Sequence, residues 1–299
     1  MNNFFEIIKC PLCNYNDCKI IIKSKYKKKI SYEYLRKIFL SSGSKFMDQV
    51  VKCNKCSLIY TNPRIKENII NKGYSFSIDK KFISQDQMRI KSFENTIDIL
   101  NKKINLSKKK FLDVGSAGGA FLKACLNKNI TADGIEPNKW LVNFGKKNYQ
   151  VNIKNVKLNE VKKKYDVVSF FDVIEHVPNL KKLVLNINKV TKKNGYLIVT
   201  VPDHDSYARK ILGGNWPFYL NVHVHYFTKD TLMKLFGAKY SLIYNKSYWP
   251  TLQLSYVLNR ATKIFKVFKI FEILINIFGL GKMSIKYNMG QTLFIFKKK

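Results

Sequence analysis

The chain has 299 residues, of which 46% are hydrophobic and 14% aromatic. This composition excludes an intrinsically disordered protein and allows one large domain with a smaller module. Its 54 lysines and arginines outnumber its 20 acidic residues, which gives a formal net charge of +34. The charge predicts an acidic partner (nucleic acid, anionic lipid or a phosphorylated substrate), or it reflects AT-rich coding, which also favours lysine.

The N-terminal sequence MNNFFEIIKCPLC lacks the basic start and the long apolar stretch of a signal peptide. No apolar run reaches the roughly 18 residues of a transmembrane helix. We therefore expect a cytoplasmic protein, in which cysteines stay reduced.

Four of the six cysteines lie in two motifs with the spacing Cys-x-x-Cys, which are CPLC at 10–13 and CNKC at 53–56. Each turn can present two thiolates to one ion, so two turns complete a tetrahedron. The predicted structural zinc ligands are Cys10, Cys13, Cys53 and Cys56. A disulfide or a redox dithiol is the weaker alternative in a reducing compartment. Cys18 is interpreted as a bystander and Cys125 as a buried core thiol.

After a helical segment over residues 64–107, short apolar runs alternate with helical patterns from residue 108 onwards. Strands are predicted at KKFLDVG, ITADGIEP, YDVVSFFDV, YLIVTVPD, SLIYNKSYW and QTLFIFKKK. Helices are predicted at GAFLKACLNKN, NKWLVNFGKKN, NLKKLVLNINKVTKKNG and TKDTLMKLFG. This alternation predicts a doubly wound α/β fold, which binds ligands at the carboxyl ends of its strands.

The stretch FLDVGSAGGAFL at 111–122 ends the first of these strands, turns on small residues and begins a helix. Such a turn lets the backbone pass close to a ligand and offers free N–H groups. A dinucleotide fingerprint requires G-x-G-x-x-G, and Ala117 replaces its second glycine. The next strand ends at Glu136, whose carboxylate can bind a ribose diol. The sequence therefore predicts a nucleotide-containing ligand, against the alternative of a packing turn beside a solvated glutamate.

The segments DVGSAGGAFL, GIEP, FDVIEHVPN and GYLIVTVPD resemble successive signatures of the class I S-adenosylmethionine (SAM)-dependent methyltransferases. The segment CPLC…VVKCNKCSLIYTNPR resembles a zinc-binding N-terminal segment found in a bacterial group of these enzymes, and WPFYLNVHVHYFTKDTL and MGQTLFIFKKK resemble their later loop and closing strand. The resemblance implies a seven-stranded Rossmann-like sheet with a small zinc module. It implies a zinc module at 1–63, a helical linker or cap at 64–107 and a methyltransferase domain at 108–299. Within that domain it implies a substrate loop at 203–227 and a helical insert at 250–288.

The resemblance also implies which residues bind SAM. The amino-acid end of the cofactor would lie at the turn after the first strand, its ribose at the acidic tip of the second, and its adenine just beyond. Leu158 and backbone amides would contact the adenine where the family usually has an acidic residue. The implied cofactor-binding residues are Asp113, Gly115, Ser116, Ala117, Gly118, Glu136, Pro137 and Asp172. The pair of aromatic residues around Tyr74 resembles one that closes over the cofactor in the family.

Catalysis is assigned to Asp172, His176 and His223. If a helix begins at Asp172, then Asp172, Glu175 and His176 would lie on one face of it. The alternative role for His176 is capping or packing. Strand alternation in NVHVHYF would point His223 and His225 to the same side. Together with Trp216 and Tyr226 they would form a wall of the substrate site; the alternative is a partly buried strand in the loop. Carbon methylation in the resembling family uses a histidine preceded by glutamate, whereas His223 follows a valine. The sequence Asp172-Val173-Ile174-Glu175 also lacks the Asn/Asp-Pro-Pro-aromatic turn of adenine-N6 methyltransferases.

Residues 260–282 predict a helix with a narrow polar stripe. Lys263, Lys266, Lys269, Glu272 and Asn276 form the stripe. The helix would pack on the sheet or on another chain, or lie in an anionic membrane interface with its lysines at the head groups.

These features together predict methyl transfer from SAM to a small molecule, such as a sugar or a lipid-linked saccharide of a cell-surface polysaccharide. The membrane alternative would place the protein peripherally on the inner face of the membrane. An RNA methyltransferase that uses the basic surface is a further alternative, and a non-catalytic, cofactor-binding scaffold is another. The sequence leaves the oligomeric state open.

Overall fold

A computed structural model of the chain describes residues 4–26, 30–38, 45–76, 78, 83–262 and 266–299. Within those ranges the strands are β1 (Phe5–Glu6), β2 (Cys18–Ile22), β3 (Val50–Cys53), β4 (Ile59–Thr61), β5 (Arg64–Ile65), β6 (Phe111–Val114), β7 (Ala132–Ile135), β8 (Ile153–Lys154), β9 (Tyr165–Phe171), β10 (Thr191–Pro202), β11 (His225–Tyr226), β12 (Tyr240–Ser247), β13 (Thr251–Gln253), β14 (Ser284–Lys286) and β15 (Gln291–Lys298). The helices are α1 (Tyr32–Ile38), α2 (Glu67–Phe76), α3 (Asp86–Ile104), α4 (Ala120–Asn127), α5 (Lys139–Tyr149), α6 (Leu180–Val190), α7 (Tyr207–Leu212), α8 (Lys229–Phe236), α9 (Leu254–Thr262) and α10 (Phe268–Ile277).

Seven strands form the central sheet, in the order β12-β15-β10-β9-β6-β7-β8. The five strands from β10 to β8 run parallel, whereas β15 pairs antiparallel with both β10 and β12. This arrangement confirms the predicted doubly wound, Rossmann-like sheet. The order reverses beside β6, which is the point where such sheets bind ligands.

Helices cover both faces of this sheet because their sequences carry one apolar face and begin at residues that cap them. Asn138 caps α5 by accepting hydrogen bonds from the N–H groups of Trp140 and Leu141. Thr228 caps α8 in the same way through the N–H of Thr231. The strands between the helices, such as Phe111–Val114, are buried on both faces, as parallel strands between helical layers must be.

The end of α6 differs from the prediction, which extended this helix to Gly195. The helix stops at Val190, and β10 begins at Thr191. The Thr191 hydroxyl donates to the Ile187 carbonyl at 2.7 Å, and the Thr191 backbone already pairs with Tyr165 in the sheet. Strand pairing of a β-branched residue therefore ends the helix early.

The N-terminal segment forms a second, smaller sheet in the order β11-β4-β3-β2. Its fourth strand does not come from this segment: β11 belongs to the loop after β10, and its His225 and Tyr226 pair with Tyr60 and Ile59. The buried Asn221 side chain in the same loop accepts from the Met47 N–H at 2.9 Å and donates to the Lys45 carbonyl at 2.9 Å. The cysteine-containing segment and this loop thus form one packed unit.

A helical hairpin, α9 and α10, is inserted between β13 and β14, which pair with each other. The single helix predicted over residues 260–282 is therefore wrong, since Lys266 and Val267 form a turn between α9 and α10. Folding back lets the two short helices share apolar surface, and the Asn259 amide donates to the Glu272 carboxylate at 3.1 Å. Lys263 of the predicted stripe lies outside the described residues.

Of the alternatives for this segment, packing on the sheet does not hold for α10, which carries no buried residue. Its side chains Ile270 and Ile277 are 62% and 71% exposed. Among the described residues, no helix is long and apolar enough to cross a membrane.

Candidate active site

A cavity of about 460 Å³ opens at the carboxyl ends of β6, β7, β9 and β10. Its size falls in the usual range for small-molecule sites, roughly 300–1,000 Å³. One side is lined by the small-residue turn after β6 and the other by the loop that contains His223. The cavity is therefore positioned by the parallel strands, as this type of sheet predicts.

The turn after β6 is fixed by hydrogen bonds to the end of β7. The N–H groups of Gly115 and Ser116 donate to the Ile135 carbonyl at 2.9 and 3.1 Å, and the Ser116 hydroxyl donates to the Asp113 carbonyl at 2.8 Å. Gly115 has φ +71°, and a Cβ at that position would lie 2.8 Å from Val173 Cγ2. A side chain there would be strained and would collide, so the close passage of the chain requires glycine. Gly115, Ser116, Ala117 and Gly118 all line the cavity.

Glu136 lies fully buried behind this turn, with its carboxylate already engaged by the protein. One oxygen accepts from the Asn138 N–H at 2.8 Å. The other accepts from the Ala117 N–H at 3.0 Å and, at 3.4 Å, from the Tyr74 hydroxyl. Tyr74 and Pro137 line the cavity. Tyr74, which the resemblance places over the cofactor, thus contacts Glu136 and lines the cavity. The side chain of Phe76, the second aromatic residue of that pair, lies outside the described residues.

Two further carboxylates end neighbouring strands at the cavity. Asp113 accepts from the Ser169 hydroxyl at 2.8 Å. Asp172, which has φ +55°, accepts from the Thr200 hydroxyl at 3.0 Å and from the Gln291 amide at 2.6 Å. A non-glycine residue in this left-handed conformation stores strain, a feature that concentrates at functional sites.

The two candidate histidines meet on the opposite side of the cavity. The His176 and His223 rings pack edge to face with centroids 4.6 Å apart. Their Nδ1 atoms lie 2.9 Å from the Val222 carbonyl and 2.8 Å from the Phe218 carbonyl, respectively. These carbonyls require a proton on Nδ1, which leaves Nε2 of a neutral ring as the basic nitrogen.

The Glu175 carboxylate lies beside the histidine pair, whereas Asp172 of the predicted helical face approaches His176 through its backbone carbonyl and its carboxylate is not part of the group. The segment Ile174–His176 forms a single 3₁₀ turn rather than an α-helix, so its spacing brings Glu175, His176 and His223 together. One ligand atom of each of these three side chains lies within 4.8 Å of the others. Among the described residues, neither carboxylate oxygen of the 1%-exposed Glu175 has a hydrogen-bond partner.

The predicted strand alternation of His223 and His225 is wrong. The His223 N–H donates to the Leu220 carbonyl and closes a turn, so only His225 enters β11. His225 is buried away from the cavity, which His223 lines. Trp216 and Tyr226 do not form the predicted substrate wall either: both are 1% exposed and pack in an aromatic cluster behind it, while Phe218 and Leu220 line the cavity.

Burial shifts the pKa values of the acids and histidines in this site so that their uncharged forms are favoured. It raises the pKa values of Asp113 and Glu136 to about 7, in each case against opposing hydrogen bonds. Burial also raises the pKa of Asp172, and it lowers the pKa of His176 to about 4 against the opposing Val222 and Asp172 carbonyls. A positively charged ligand would favour the ionised carboxylates and recover part of this desolvation cost.

Sequence reasoning missed the aromatic and polar residues that close the acceptor side. Tyr248, Tyr256, Arg260, Tyr287 and Gln291 line the cavity. They come from the segment after β12, from α9, from the segment after β14 and from the start of β15, all within residues 248–291. Only the placement of the insert beside the sheet brings them together, and the sequence contains no local signal for it.

The four cysteines of the two Cys-x-x-Cys turns converge in the N-terminal sheet. Their sulfurs all lie within 4.8 Å of one another, with 3.4 Å from Cys10 to Cys56 and 3.6 Å from Cys13 to Cys53. Tetrahedral zinc with bonds of about 2.3 Å separates its sulfurs by roughly 3.8 Å, so the cluster has the dimensions for such an ion. Burial raises the pKa of Cys56 to about 11, and a cation would offset this cost of holding a thiolate. Cys18 is not part of the group.

A family model described as a methyltransferase domain matches residues 86–239, which contain the turn, Glu136, Asp172 and the histidine pair. This chain belongs to that methyltransferase family. The assignment agrees with the resemblance seen in the sequence motifs.

Curated relatives of this methyltransferase include two proteins named ubiquinone biosynthesis O-methyltransferase. The protein from Rickettsia akari is 38% identical over 109 residues, which make up 32% of this chain and 41% of the relative. The protein from Rickettsia prowazekii is 32% identical over 145 residues, or 46% of this chain and 55% of the relative. The chain thus spans about half the length of the curated relatives it matches. Among solved structures, a SAM-dependent methyltransferase from Archaeoglobus fulgidus is 18% identical, with a TM-score of 0.48 and coverage of 74% of this chain and all of that one.

Asp113→Asn should change stability in a pH-dependent way. The folded protein holds Asp113 with a pKa of about 7, above its ordinary value of 3.8, so folding favours the protonated acid. The resulting stabilisation is complete below about pH 4 and is lost as the pH rises through 7. At pH 8 we expect the asparagine variant to be more stable than the wild type by on the order of 2–4 kcal/mol. The gain should vanish towards pH 4, as measured by denaturant unfolding.

Asp166→Asn provides the control of opposite sign. The Lys110 N–H and the Lys192 ammonium outweigh the burial of Asp166 and lower its pKa. This variant should lose stability relative to the wild type as the pH rises through the range in which the Asp166 carboxyl ionises. A pH-independent difference for Asp113→Asn would contradict the assigned desolvation.

Proposed function

We propose that this chain transfers the methyl group of SAM to a hydroxyl of a small-molecule acceptor. The observation that carries the proposal is the cavity itself, which lies inside the matched methyltransferase domain at the carboxyl ends of the parallel strands. A backbone turn built from small residues lines one side, and two imidazoles line the other. These two sides correspond to a cofactor and an acceptor.

SAM supplies a methyl group made electrophilic by a positively charged sulfur. We assign its amino-acid portion to the Asp113 carboxylate and the turn, its ribose to Glu136, its adenine to the surface around Pro137 and Leu158, and its sulfonium to the side of Asp172. The desolvated carboxylates support this assignment, because a cation is the ligand that they lack. The proposed cofactor-binding residues are Asp113, Gly115, Ser116, Ala117, Gly118, Glu136, Pro137, Leu158 and Asp172.

The acceptor hydroxyl must lose its proton when it attacks the methyl group. His176 and His223 are the groups we assign to this activation, since the Val222 and Phe218 carbonyls fix both rings through Nδ1. The fixed rings leave Nε2 as the nitrogen that acts. Positioning of this kind contributes to rate because the reacting groups need no further ordering.

The acceptor side offers aromatic surface at Tyr248, Tyr256 and Tyr287. The apolar face of a sugar or an aromatic ring packs well against such side chains. The curated relatives are named for O-methylation in ubiquinone biosynthesis. We favour a ring carried on a lipid, which includes the lipid-linked saccharide suggested by the sequence.

The helical hairpin supports a lipid-linked acceptor. On α10, Ile270, Ile277 and the adjoining Phe278 are each more than 60% exposed. Residues 260–282 contain a single acid, Glu272, among several basic residues. An amphipathic surface of this charge is suited to an anionic membrane interface. The same hairpin contributes Tyr256 and Arg260 to the cavity, so a docked hairpin would place the cavity beside the lipid.

For the four-cysteine cluster we propose a structural zinc ion bound by Cys10, Cys13, Cys53 and Cys56. The sulfur separations support the metal, and four thiolates leave no open coordination position for catalysis. The ion would hold β3 and the turn before β2 together. Because β11 pairs with this sheet, the zinc site would also stabilise the loop that carries His223.

Titration calorimetry tests the cofactor. We expect the wild type to bind SAM with micromolar affinity. Glu136→Ala should bind SAM more than about 100-fold more weakly, because it removes the carboxylate that would bind the ribose and that accepts hydrogen bonds from two backbone N–H groups. Glu94→Ala is the matched control: its carboxylate accepts a hydrogen bond from the Asn127 amide on the surface, and it is not among the described residues that line the cavity, so the affinity for SAM should be unchanged. A folded wild type that binds no SAM would favour the scaffold alternative, and salt-dependent RNA binding would favour the nucleic-acid alternative.

Zinc analysis of the purified protein tests the cysteine cluster. We expect Cys53→Ser to lose the ion, to unfold at lower temperature and to show weaker packing of the loop around His223. Cys18→Ser should retain the ion, because Cys18 lies outside the four-sulfur group. Equal zinc content in the two variants would overturn the ligand assignment.

Co-sedimentation with vesicles tests the hairpin. Binding is expected to vesicles that contain phosphatidylglycerol and not to pure phosphatidylcholine, and Ile270→Glu with Ile277→Glu should abolish it. Leu185→Glu makes the same chemical change at a 58%-exposed residue of α6 and should bind like the wild type. Hairpin variants that change the oligomeric state in ultracentrifugation, without any vesicle binding by the wild type, would show that a second copy covers this surface instead.

A further inference from the structure

We propose that Glu175, His176 and His223 bind a divalent transition-metal ion on the acceptor side of the cavity, separate from the four-cysteine site. The inference rests on the proposed function, since the ion would bind and activate the acceptor hydroxyl. The three side chains offer one carboxylate and two imidazoles, each with a ligand atom within 4.8 Å of the others. This is the donor set of a three-ligand site that keeps open coordination positions.

The orientation of the two rings supports metal binding. Histidines that bind a metal through one ring nitrogen almost always donate the other N–H to a carbonyl or a carboxylate. His176 and His223 both meet this condition, through Nδ1 contacts of 2.9 and 2.8 Å to the carbonyls of Val222 and Phe218. These contacts select the tautomer whose Nε2 lone pair is available to an ion.

The carboxylate of Glu175 provides the second, independent observation. The residue is 1% exposed and lines the cavity, and among the described residues no other residue donates a hydrogen bond to either of its oxygens, which are approached only by the Glu175 backbone N–H. A buried polar group without a partner is costly and rare in a native structure. A cation bound between Glu175 and the two imidazoles would satisfy it.

The backbone around the three ligands also holds them as one unit. The Val224 N–H donates to the Glu175 carbonyl at 2.9 Å, which joins the loop after β9 to the loop that carries His223. The Val222 carbonyl that orients His176 comes from this second loop as well. Two segments that are distant in sequence are thus fixed against each other at the ligands, as a metal site requires.

Nitrogen and carboxylate donors favour ions such as zinc, iron(II) or manganese, and two imidazoles with one carboxylate leave positions for the acceptor oxygen. With both Nε2 atoms bound to the ion, His176 and His223 would activate the acceptor through the metal and would not accept its proton themselves. Coordination would lower the pKa of the acceptor hydroxyl, whose proton passes to water. In the transfer, an oxygen lone pair forms the carbon–oxygen bond while the carbon–sulfur bond of SAM breaks. The electron pair of the broken bond stays on sulfur as a neutral thioether.

The test is a titration with Co²⁺ of the full-length protein loaded with one equivalent of zinc, which fills the four-thiolate site first, followed by visible absorption. The wild type should bind one Co²⁺ per chain with ligand-field bands and without the thiolate-to-cobalt charge-transfer band that the cysteine site would produce. Glu175→Gln and His223→Asn should each weaken Co²⁺ binding by more than about 100-fold. Loss of a residue that only hydrogen-bonds to a metal ligand weakens binding by about 10- to 100-fold, so the larger effect identifies a direct ligand. Glu67→Gln, the same change at another residue lining the cavity, should bind Co²⁺ like the wild type.

Zinc retained at the cysteine site of each variant shows that the adjoining loop is folded. A wild type that binds Co²⁺ only with the thiolate signature, or a Glu175→Gln variant that binds Co²⁺ as well as the wild type, would overturn the proposal. SAM calorimetry on the same samples separates the two hypotheses. SAM binding without Co²⁺ binding removes the metal site alone, and Co²⁺ binding without SAM binding removes the proposed methyl transfer alone.

Discussion

Two backbone pairs, His225 with Tyr60 and Tyr226 with Ile59, join the four-cysteine segment to the loop after β10. The acceptor side of the cavity depends on this pairing, because the turn that presents His223 directly precedes β11. The Thr61 N–H extends the contact by donating to the Val224 carbonyl at 3.1 Å. A segment that could have been an independent appendage is therefore part of the scaffold of the site.

The same constraint explains why the histidines are so well fixed. Val224 bonds to Glu175 on one side and to Thr61 on the other, so one short stretch of extended backbone links three parts of the chain. A change in the cysteine sheet would reach the cavity through this stretch. On the cofactor side, the turn after β6 is bonded to the end of β7 through the N–H groups of Gly115 and Ser116.

Desolvation is the second physical theme of the cavity. Asp113, Glu136, Asp172 and Glu175 are all raised in pKa, with burial as the largest cause. The protein maintains these acids close together at a cost in stability, as functional sites commonly do. Bound cations would explain this arrangement, because they favour the ionised carboxylates. On the cofactor side the cation would be the sulfonium of SAM, and on the acceptor side it would be a metal ion.

The sheet and the cofactor side could be predicted from the sequence because both depend on local patterns. The run Phe111–Val114, the small residues after it and the acid at Glu136 lie in continuous segments whose spacing is set by strand and turn geometry. The acceptor side could not be predicted in this way. A single turn at Leu220 decides that His223 and not His225 reaches the cavity. The sequence placed Asp172, Glu175 and His176 on one helical face, but residues 174–176 form a 3₁₀ turn, and the group with His223 contains Glu175 and not the Asp172 carboxylate.

The helical insert shows a further property of the architecture. β12 and β15 pair directly with each other, so the chain leaves the sheet after Ser247 and returns at Gln291 without interrupting a single strand. Between these residues the β13–β14 pair forms a separate two-stranded sheet, which is held against α3 by hydrogen bonds between Thr251 and Ser92. Evolution can lengthen, shorten or exchange such a segment while the sheet retains its register. The part of the protein that meets the acceptor is therefore free to diversify, and related chains could acquire new acceptors without altering how they hold the methyl donor.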